Sequence, residues 1–407
     1  MIYFTHQELA ATYHVSVKTV RNWIEAAKQG KLDLVLHEAN GRSYVSNTAG
    51  NIALIEQLAE KGKKYRPHRA IKVVSPRPEF YKLYTQAQIY DILTNLDVYR
   101  EIPRQYSYFD GGAAYWDDYT QRLSMEVAPN LLTGTLKLLS YNQGYIDQLL
   151  SAYKRVNVID IGVGNAIPVK GLLSHLLEAG KLGRYAGIDI SPEMLQIAGG
   201  NIRKWFGDRI AFEPYTLDIS YERFTSIIAP DSLKSDSQDT VNLILFLGGT
   251  WTNFREPDAA LRAVHDSMGR NDVLLQSLKL DTATSRRYFD FNADPGKAEI
   301  PPIRRFIIDL LNIDDSYYDV EVGYDSERGE RYTRIRLKVA VTIKFDFDGQ
   351  ERQLDLNKDE AILLWRVWHY SDLDMLQQLD RCNFHTLHAS QTEDWEYMLT
   401  VSQIKRS

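Results

Sequence analysis

The stretch Val158-Ile159-Asp160-Ile161-Gly162-Val163-Gly164-Asn165 decides the fold class. The run Val156–Ile161 is rich in β-branched residues, which fits a strand of a parallel sheet. Gly162 and Gly164 then let the backbone turn sharply and approach a ligand with no Cβ in the way. An apolar helical pattern follows from Ile167 to Leu177. Strand, glycine turn and helix in that order put a ligand site at the carboxyl end of a parallel strand. A Gly-x-Gly turn alone fits any tight strand-to-helix connection, so the neighbouring segments must decide.

Three further segments repeat the pattern. Tyr185–Ile190 reads as a strand that ends on Asp189, and Pro192–Phe206 as the helix after it. Ile210–Leu217 runs into Asp218-Ile219-Ser220, and Val241–Leu247 and Val273–Leu280 flank a helix over Asp258–Met268. Strands alternating with helices predict an α/β core with a parallel sheet covered on both faces. Asp160, Asp189 and Asp218 mark three successive strand ends, with Asp189 where paired ribose hydroxyls need acceptors, and together they outline an adenosine pocket. A nicotinamide-binding loop is the structural competitor. Gly164-Asn-Ala-Ile-Pro168 lacks the third glycine that loop needs.

Together these motifs resemble the class I methyltransferases, with their Rossmann-like core. The resemblance implies S-adenosylmethionine as cofactor, bound by Asp160, Gly162, Gly164, Asn165, Asp189, Ile190, Asp218 and Ile219. In it Gly162 and Gly164 border the methionine and ribose, Asp189 holds the ribose, and Asp218 meets the adenine amine. A narrower resemblance covers most of residues 100–404. Tyr108-Phe-Asp-Gly-Gly-Ala-Ala-Tyr-Trp-Asp-Asp-Tyr119 and Leu247-Gly-Gly-Thr-Trp-Thr-Asn-Phe254 look like the histidine Nα-methyltransferases of ergothioneine biosynthesis. It implies an N-methyltransferase with Tyr108, Gly248, Asn253 and Glu360 at the acceptor.

The chain departs from that family in Asp359-Glu-Ala-Ile-Leu-Leu-Trp-Arg-Val-Trp-His-Tyr370. Trp365 stands where the family has the Glu that helps bind the imidazole, and Val367 where it has a Ser. Two unpaired ring nitrogens cost on the order of 1–3 kcal/mol each, so free histidine is not the expected substrate. Trp365 and Trp368 fit a helical spacing that favours core burial. With Trp251 they could instead shape a flatter, more apolar acceptor pocket.

Residues 282–370 read as an accessory lobe. Thr333–Phe347 alternates strictly, and Gln353–Leu356 can pair back after the turn at Asp348-Gly349, an antiparallel addition to the parallel core. The whole expected methyltransferase domain spans 79–407, after a proline-bearing linker over 66–78.

The net charge of −6 hides an asymmetry. Residues 1–78 hold 12 Lys/Arg and 6 Asp/Glu, a balance of +6, which leaves −12 on the remainder. Within residues 1–65, Phe4–Ile24 has the form of a helix-turn-helix, with Leu9, Ala10, Val15, Val20 and Ile24 at packing positions. Ser16 is a natural N-cap for its second helix. Leu32–Val45, with its Asn40-Gly41 turn, reads as a wing. The segment resembles the winged heads of the MerR and excisionase type, with Lys18, Thr19, Arg21, Asn22 and Arg42 directed at DNA. The competing reading is a protein–protein adaptor of the same fold. A homodimer through Ile52–Leu58 would supply the second DNA half-site.

Hydrophobic content of 44% and charged content of 25% are those of a soluble globular chain. The single cysteine, Cys382, rules out an intrachain disulfide, and no leader pattern opens the chain. The expectation is a cytoplasmic protein without membrane contact. The 9 histidines are scattered without ligand spacing, so no metal is expected.

Three function classes follow. The first is transfer of a methyl group to a small, amino-acid-like amine by an enzyme whose head binds DNA or a partner. The second is a transcriptional regulator whose body senses a ligand or the cofactor without turnover. A DNA-modifying enzyme is disfavoured, because Gly248-Gly-Thr-Trp251 stands where amino-methylating DNA enzymes carry Asp/Asn-Pro-Pro-aromatic, and Cys382 lies outside any nucleophile motif.

Overall fold

The computed structural model describes residues 3–39, 42–65, 71–126, 129–232, 239–284, 300 and 302–405. The chain divides into two compact units, Met1–Ile71 and Lys72–Ser407.

In the first unit, helix His6–Thr12 begins at Thr5, whose hydroxyl accepts from the Glu8 N–H while Glu8 reaches back to the Thr5 N–H. Helix Val17–Lys28 begins at Ser16, which accepts from the Thr19 N–H at 3.0 Å. Leu9, Ala10, Val20 and Ile24 pack with Leu34, Val45 and Ile55. Strands Tyr3–Phe4 and Leu36–Ala39 flank Arg42–Ser46 in an antiparallel sheet. The Asn40-Gly41 turn lies outside the described residues.

Asn51 ties this small unit together. It accepts from the Val35 N–H at 2.9 Å and donates to the carbonyls of Val35 and Ser46 at 2.9 and 2.7 Å. Asn51 is 2% exposed, and in Asn51→Ala the Val35 N–H loses its acceptor, while the two carbonyls each lose one donor but keep the backbone N–H of Ser46 and Thr48. We expect a loss of about 1–3 kcal/mol in this unit. Amide exchange over helix Val17–Lys28 in the full chain checks it, and unchanged protection would contradict it.

The second unit is built on a seven-stranded mixed sheet in the order Phe384–Gln391, Tyr397–Ile404, Val273–Lys279, Thr240–Phe246, Arg155–Ile161, Leu182–Asp189, Phe212–Thr216. The last five are parallel, and the first two run antiparallel at one edge. Val156, Val158, Leu243 and Leu275 enter one apolar layer, and Ile159, Ile161, Ile244 and Leu274 the other. That two-sided burial is why these strands are mostly apolar, with Asn157, Asp160, Asn242 and Gln276 among the buried polar exceptions.

Strict alternation over Thr333–Phe347 predicted one strand. There are two, in different sheets: Glu330–Leu337 and Val341–Phe347. The chain steps between them at Lys338–Ala340, where Lys338 N–H bonds the Tyr317 carbonyl and Ala340 carbonyl accepts from Lys72. Glu330–Leu337 lies between Tyr318–Asp325 and Ala361–Trp368, antiparallel to both. Val341–Phe347 pairs back with Gln350–Leu356 through Asp348 and Gly349, both at positive φ.

Of the linker expected over 66–78, residues 66–70 lie outside the described residues and the remainder is corrected. Lys72–Val74 pairs in parallel with Val341–Ile343, and helix Pro78–Leu83 starts at once after it. Phe80, Tyr84, Ile89, Ile92 and Leu96 share a core with Ile335, Leu337, Ile343 and Phe345, so the lobe draws on both flanks of the central fold. Among the described residues no helix is long and apolar enough to cross a membrane.

Candidate active site

Loops leaving the parallel strands wall a cavity of about 850 Å3. The first is the glycine turn. Gly162 and Gly164 lie at φ +65° and +53°, where a side chain is strained. A Cβ on Gly162 would sit 2.8 Å from Cγ2 of Thr250, so glycine is what lets these two loops meet. The Gly162 N–H donates to the Ile188 carbonyl at 2.8 Å, fixing the turn against the next strand. Asp189 and Ile190 line the cavity from that strand, and Asp218 and Ile219 from beyond the strand after it. Gly248, Gly249 and Asn253 close the far side.

Helix Gly112–Met125 brings Tyr115, Trp116 and Tyr119 to the cavity. It is tied to the glycine turn by Asn165, whose amide nitrogen donates to Asp117 at 2.8 Å. The short helix Arg104–Tyr108 adds Arg104, Gln105 and Tyr108.

The charges lining the cavity are segregated. Asp189 accepts from the Ser191 N–H at 3.0 Å, yet loss of water outweighs this and pushes its carboxyl up to about 6. Burial also raises Asp218, although the hydroxyl and N–H of Ser220 donate to it at 2.6 and 3.0 Å. A second group is basic. Burial, then the charges of Arg104 and Arg331, bring Arg304 down to about 9, which leaves it charged at neutral pH. Burial lowers Arg331 and Lys279 as well, and brings His369 down to about 4, so this imidazole is neutral. Tyr108 senses both groups: burial raises its hydroxyl, with Arg104 opposing and Asp189 adding.

Most residues expected at the site meet at this cavity: Gly162, Gly164, Asn165, Asp189, Ile190, Asp218, Ile219, Tyr108, Gly248 and Asn253. Two expected contacts are corrected. Asp160 is buried inside the sheet and accepts from the Tyr185 hydroxyl at 2.9 Å, away from the cavity wall. Glu360 precedes strand Ala361–Trp368, where it pairs with Arg100 at 3.1 Å and accepts from Asn357, also away from the cavity.

The tryptophans are reassigned too. Trp365 and Trp368 lie on a strand, so their helical spacing has no meaning, and both line the cavity. Trp365 and Val367 share one face by strand alternation. Trp251 is fully buried in the core, stacked on Tyr370 at 5.0 Å.

Sequence reasoning missed Arg104, Arg304, Arg331, Tyr115, Trp116 and Tyr119. Nothing in the spacing of the neighbouring Arg304 and Arg305 separates the more buried one from the other. In the N-terminal unit, Lys18, Arg21 and Asn22 are exposed on helix Val17–Lys28. Thr19 is partly buried and hydrogen-bonds Ser16 at 2.8 Å, and the Arg42 side chain lies outside the described residues.

Residues 85–404 match the family model described as histidine-specific methyltransferase, SAM-dependent. The chain belongs to this family.

This SAM-dependent methyltransferase has no match among curated proteins. Solved structures similar to it include an S-adenosylmethionine-dependent methyltransferase from Clostridium acetobutylicum ATCC 824, at 12% identity and TM-score 0.39, covering 73% of this chain and 100% of that one. Magnesium protoporphyrin IX methyltransferase from Synechocystis PCC 6803 with bound SAH is 11% identical at TM-score 0.39, covering 73% and 97%.

The methyltransferase's cavity fits its cofactor. The strained glycine turn leaves backbone open beside Asp189, and a Cβ on Gly248 would meet nothing within 4 Å. Asn253 donates to the carbonyls of Gly249 and Thr250 at 3.1 and 3.2 Å, while its own side-chain oxygen is buried without a hydrogen-bond partner. A buried acceptor left open at a cavity wall is what an incoming N–H completes. Among the described residues no group of His, Cys, Asp or Glu could hold a metal ion.

Proposed function

We propose that the methyltransferase transfers its methyl group to the nitrogen of a small amine. The observation that carries this is the open side-chain oxygen of Asn253 on the cavity that Asp189 and Asp218 also line. In this reading Asp189 accepts from the ribose hydroxyls, and Asp218 from the adenine amine between Ile190 and Ile219. The turn Gly162–Asn165 borders the methionine part, with Asp160 bracing the turn from within the sheet. S-adenosylmethionine supplies a methyl on a sulfonium sulfur: the amine lone pair takes it, the C–S bond breaks as the N–C bond forms, and S-adenosylhomocysteine and one proton leave. The residues' work is alignment. Asn253 accepts an amine N–H, Gly248 leaves room for its approach, and Tyr108 closes the space between cofactor and acceptor.

Free histidine suits this end of the cavity poorly. A neutral imidazole carries one N–H that needs an acceptor. Val367 offers none, and the Trp365 indole can only donate. Leaving that N–H unpaired costs about 1–3 kcal/mol. We expect kcat/KM for histidine at least about tenfold below that of the best primary amine in a panel, read as S-adenosylhomocysteine released. If no amine releases it while the cofactor binds, the amine reading is wrong.

For the first unit we propose nucleic-acid binding through the exposed Lys18, Arg21 and Asn22, supported by the +6 charge of residues 1–78. Binding of random duplex DNA by the full chain is expected to weaken steeply with salt. Retention of affinity in Lys18→Ala/Arg21→Ala would favour a protein partner instead.

A further inference from the structure

We propose that the acceptor carries an oxyanion, a carboxylate or a phosphate, at the end remote from the methylated nitrogen, and that Arg304 and Trp365 receive it. This rests on the reading of the cavity as the acceptor site. The Arg304 guanidinium lies 3.9 Å from the Trp365 ring centroid, and that of Arg331 lies 5.5 Å from it on the same cavity wall. Arg304 donates one N–H to the Thr333 hydroxyl at 3.1 Å. Among the described residues neither Arg304 nor Arg104 pairs with a carboxylate, although both line the cavity.

Apart from the Thr333 hydroxyl and the phenols of Tyr115 and Tyr119, the polar groups of this wall are donors. The indole N–H groups of Trp365 and Trp116 are buried without partners, Arg104 lies 5.0 Å over the Trp116 ring, and Arg331 joins them. The carboxylates of this cavity lie elsewhere or are already engaged. Glu101 pairs with Arg366, and Asp218 takes its bonds from Ser220 and Gln105. The guanidinium groups of Arg304 and Arg104, near one another and drawn from water, have no carboxylate partner among the described residues. A bound oxyanion supplies the counter-charge, and the planar fork of Arg304 matches a carboxylate or phosphate edge.

The test is a calorimetric titration of the full chain, saturated with S-adenosylhomocysteine, with glutarate and separately with inorganic phosphate. We expect at least one of them to bind, with the preferred anion telling a carboxylate acceptor from a phosphorylated one. Arg304→Gln should weaken that binding tenfold or more and Arg304→Lys less, while S-adenosylhomocysteine affinity stays within twofold as the check that the fold is intact. Binding by neither anion, or binding unchanged in Arg304→Gln, overturns the proposal. Should Arg304→Gln fail the fold check, Arg331→Gln takes its place with the same expectation. In a parallel assay glutamate and O-phosphoserine are compared with glutamine and serine as methyl acceptors. If no amine is methylated while an anion still binds through Arg304, the amine reading fails and the oxyanion site stands. If neutral amines are methylated as well as their acidic counterparts, the oxyanion site fails and the amine reading stands.

Discussion

Asp189→Ala is expected to weaken S-adenosylmethionine binding at least about 100-fold, because two charge-assisted hydrogen bonds to a ribose disappear together at about 1.5–3 kcal/mol each. The variant should not unfold. Burial raises the Asp189 carboxyl to about 6, so the charged form is a cost to the empty protein, and removing it offsets the loss of its hydrogen bonds from backbone N–H groups, leaving the melting temperature within a few degrees of the parent. A free aspartate is ionised above about 4, but Asp189 stays protonated until about 6. Cofactor affinity should therefore rise between about pH 5 and 7 and flatten above, with a slope of at most about tenfold per pH unit. Asp189→Asn should be flat across that range. Calorimetry on the three proteins checks all of this, and a full-affinity Asp189→Ala would mean that the ribose lies elsewhere.

The second large effect concerns stability. Arg366 sits between Glu101 and Glu330, at 2.5 and 3.3 Å, with side-chain exposures of 9%, 12% and 6%. Replacing Arg366 by Leu leaves Glu101 without its partner and Glu330 with Arg328 alone, at 3.2 Å, the two carboxylates out of water. The expected cost is about 3–5 kcal/mol by urea denaturation. Adding Glu101→Gln and Glu330→Gln should recover a large part of it, because the loss comes from stranded charge and not from missing packing. A single mutant within about 1 kcal/mol of the parent would show that water reaches the triad. The triad also touches function: Glu101 lines the cavity, and Arg366 stands in the strand between Trp365 and Val367, so it holds the acceptor wall in register.

The core was readable because parallel strands buried on both faces leave runs such as Val156–Ile161 that admit little else, and because a glycine turn and a strand-end acid follow directly from what a nucleotide needs. Helix Pro192–Phe206 was readable to the residue: Pro at its first turn and Gly207 past its end bracket it. The acceptor wall was not. Trp365 and Trp368 satisfy a helical period and a strand equally, and only pairing with Glu330–Leu337 decides between them. Glu360 keeps its residue type within a matching motif. It stands seven positions before Val367, however, and at about 3.3 Å per residue that is roughly 23 Å from the cavity end of the strand. Arg304 was invisible because burial of one arginine in a pair depends on which helix face meets the lobe. The strand Lys72–Val74 was missed for a related reason: its partner is some 270 residues away, and three residues between prolines carry no period of their own.

The most direct measurement of the central claim is the structure of the full chain crystallised with S-adenosylhomocysteine. The account predicts the ribose hydroxyls on Asp189, the adenine amine at Asp218 between Ile190 and Ile219, and the sulfur turned toward Asn253. A nucleoside seated outside the cavity walled by Gly162–Asn165, or a ribose that does not touch Asp189, would contradict it.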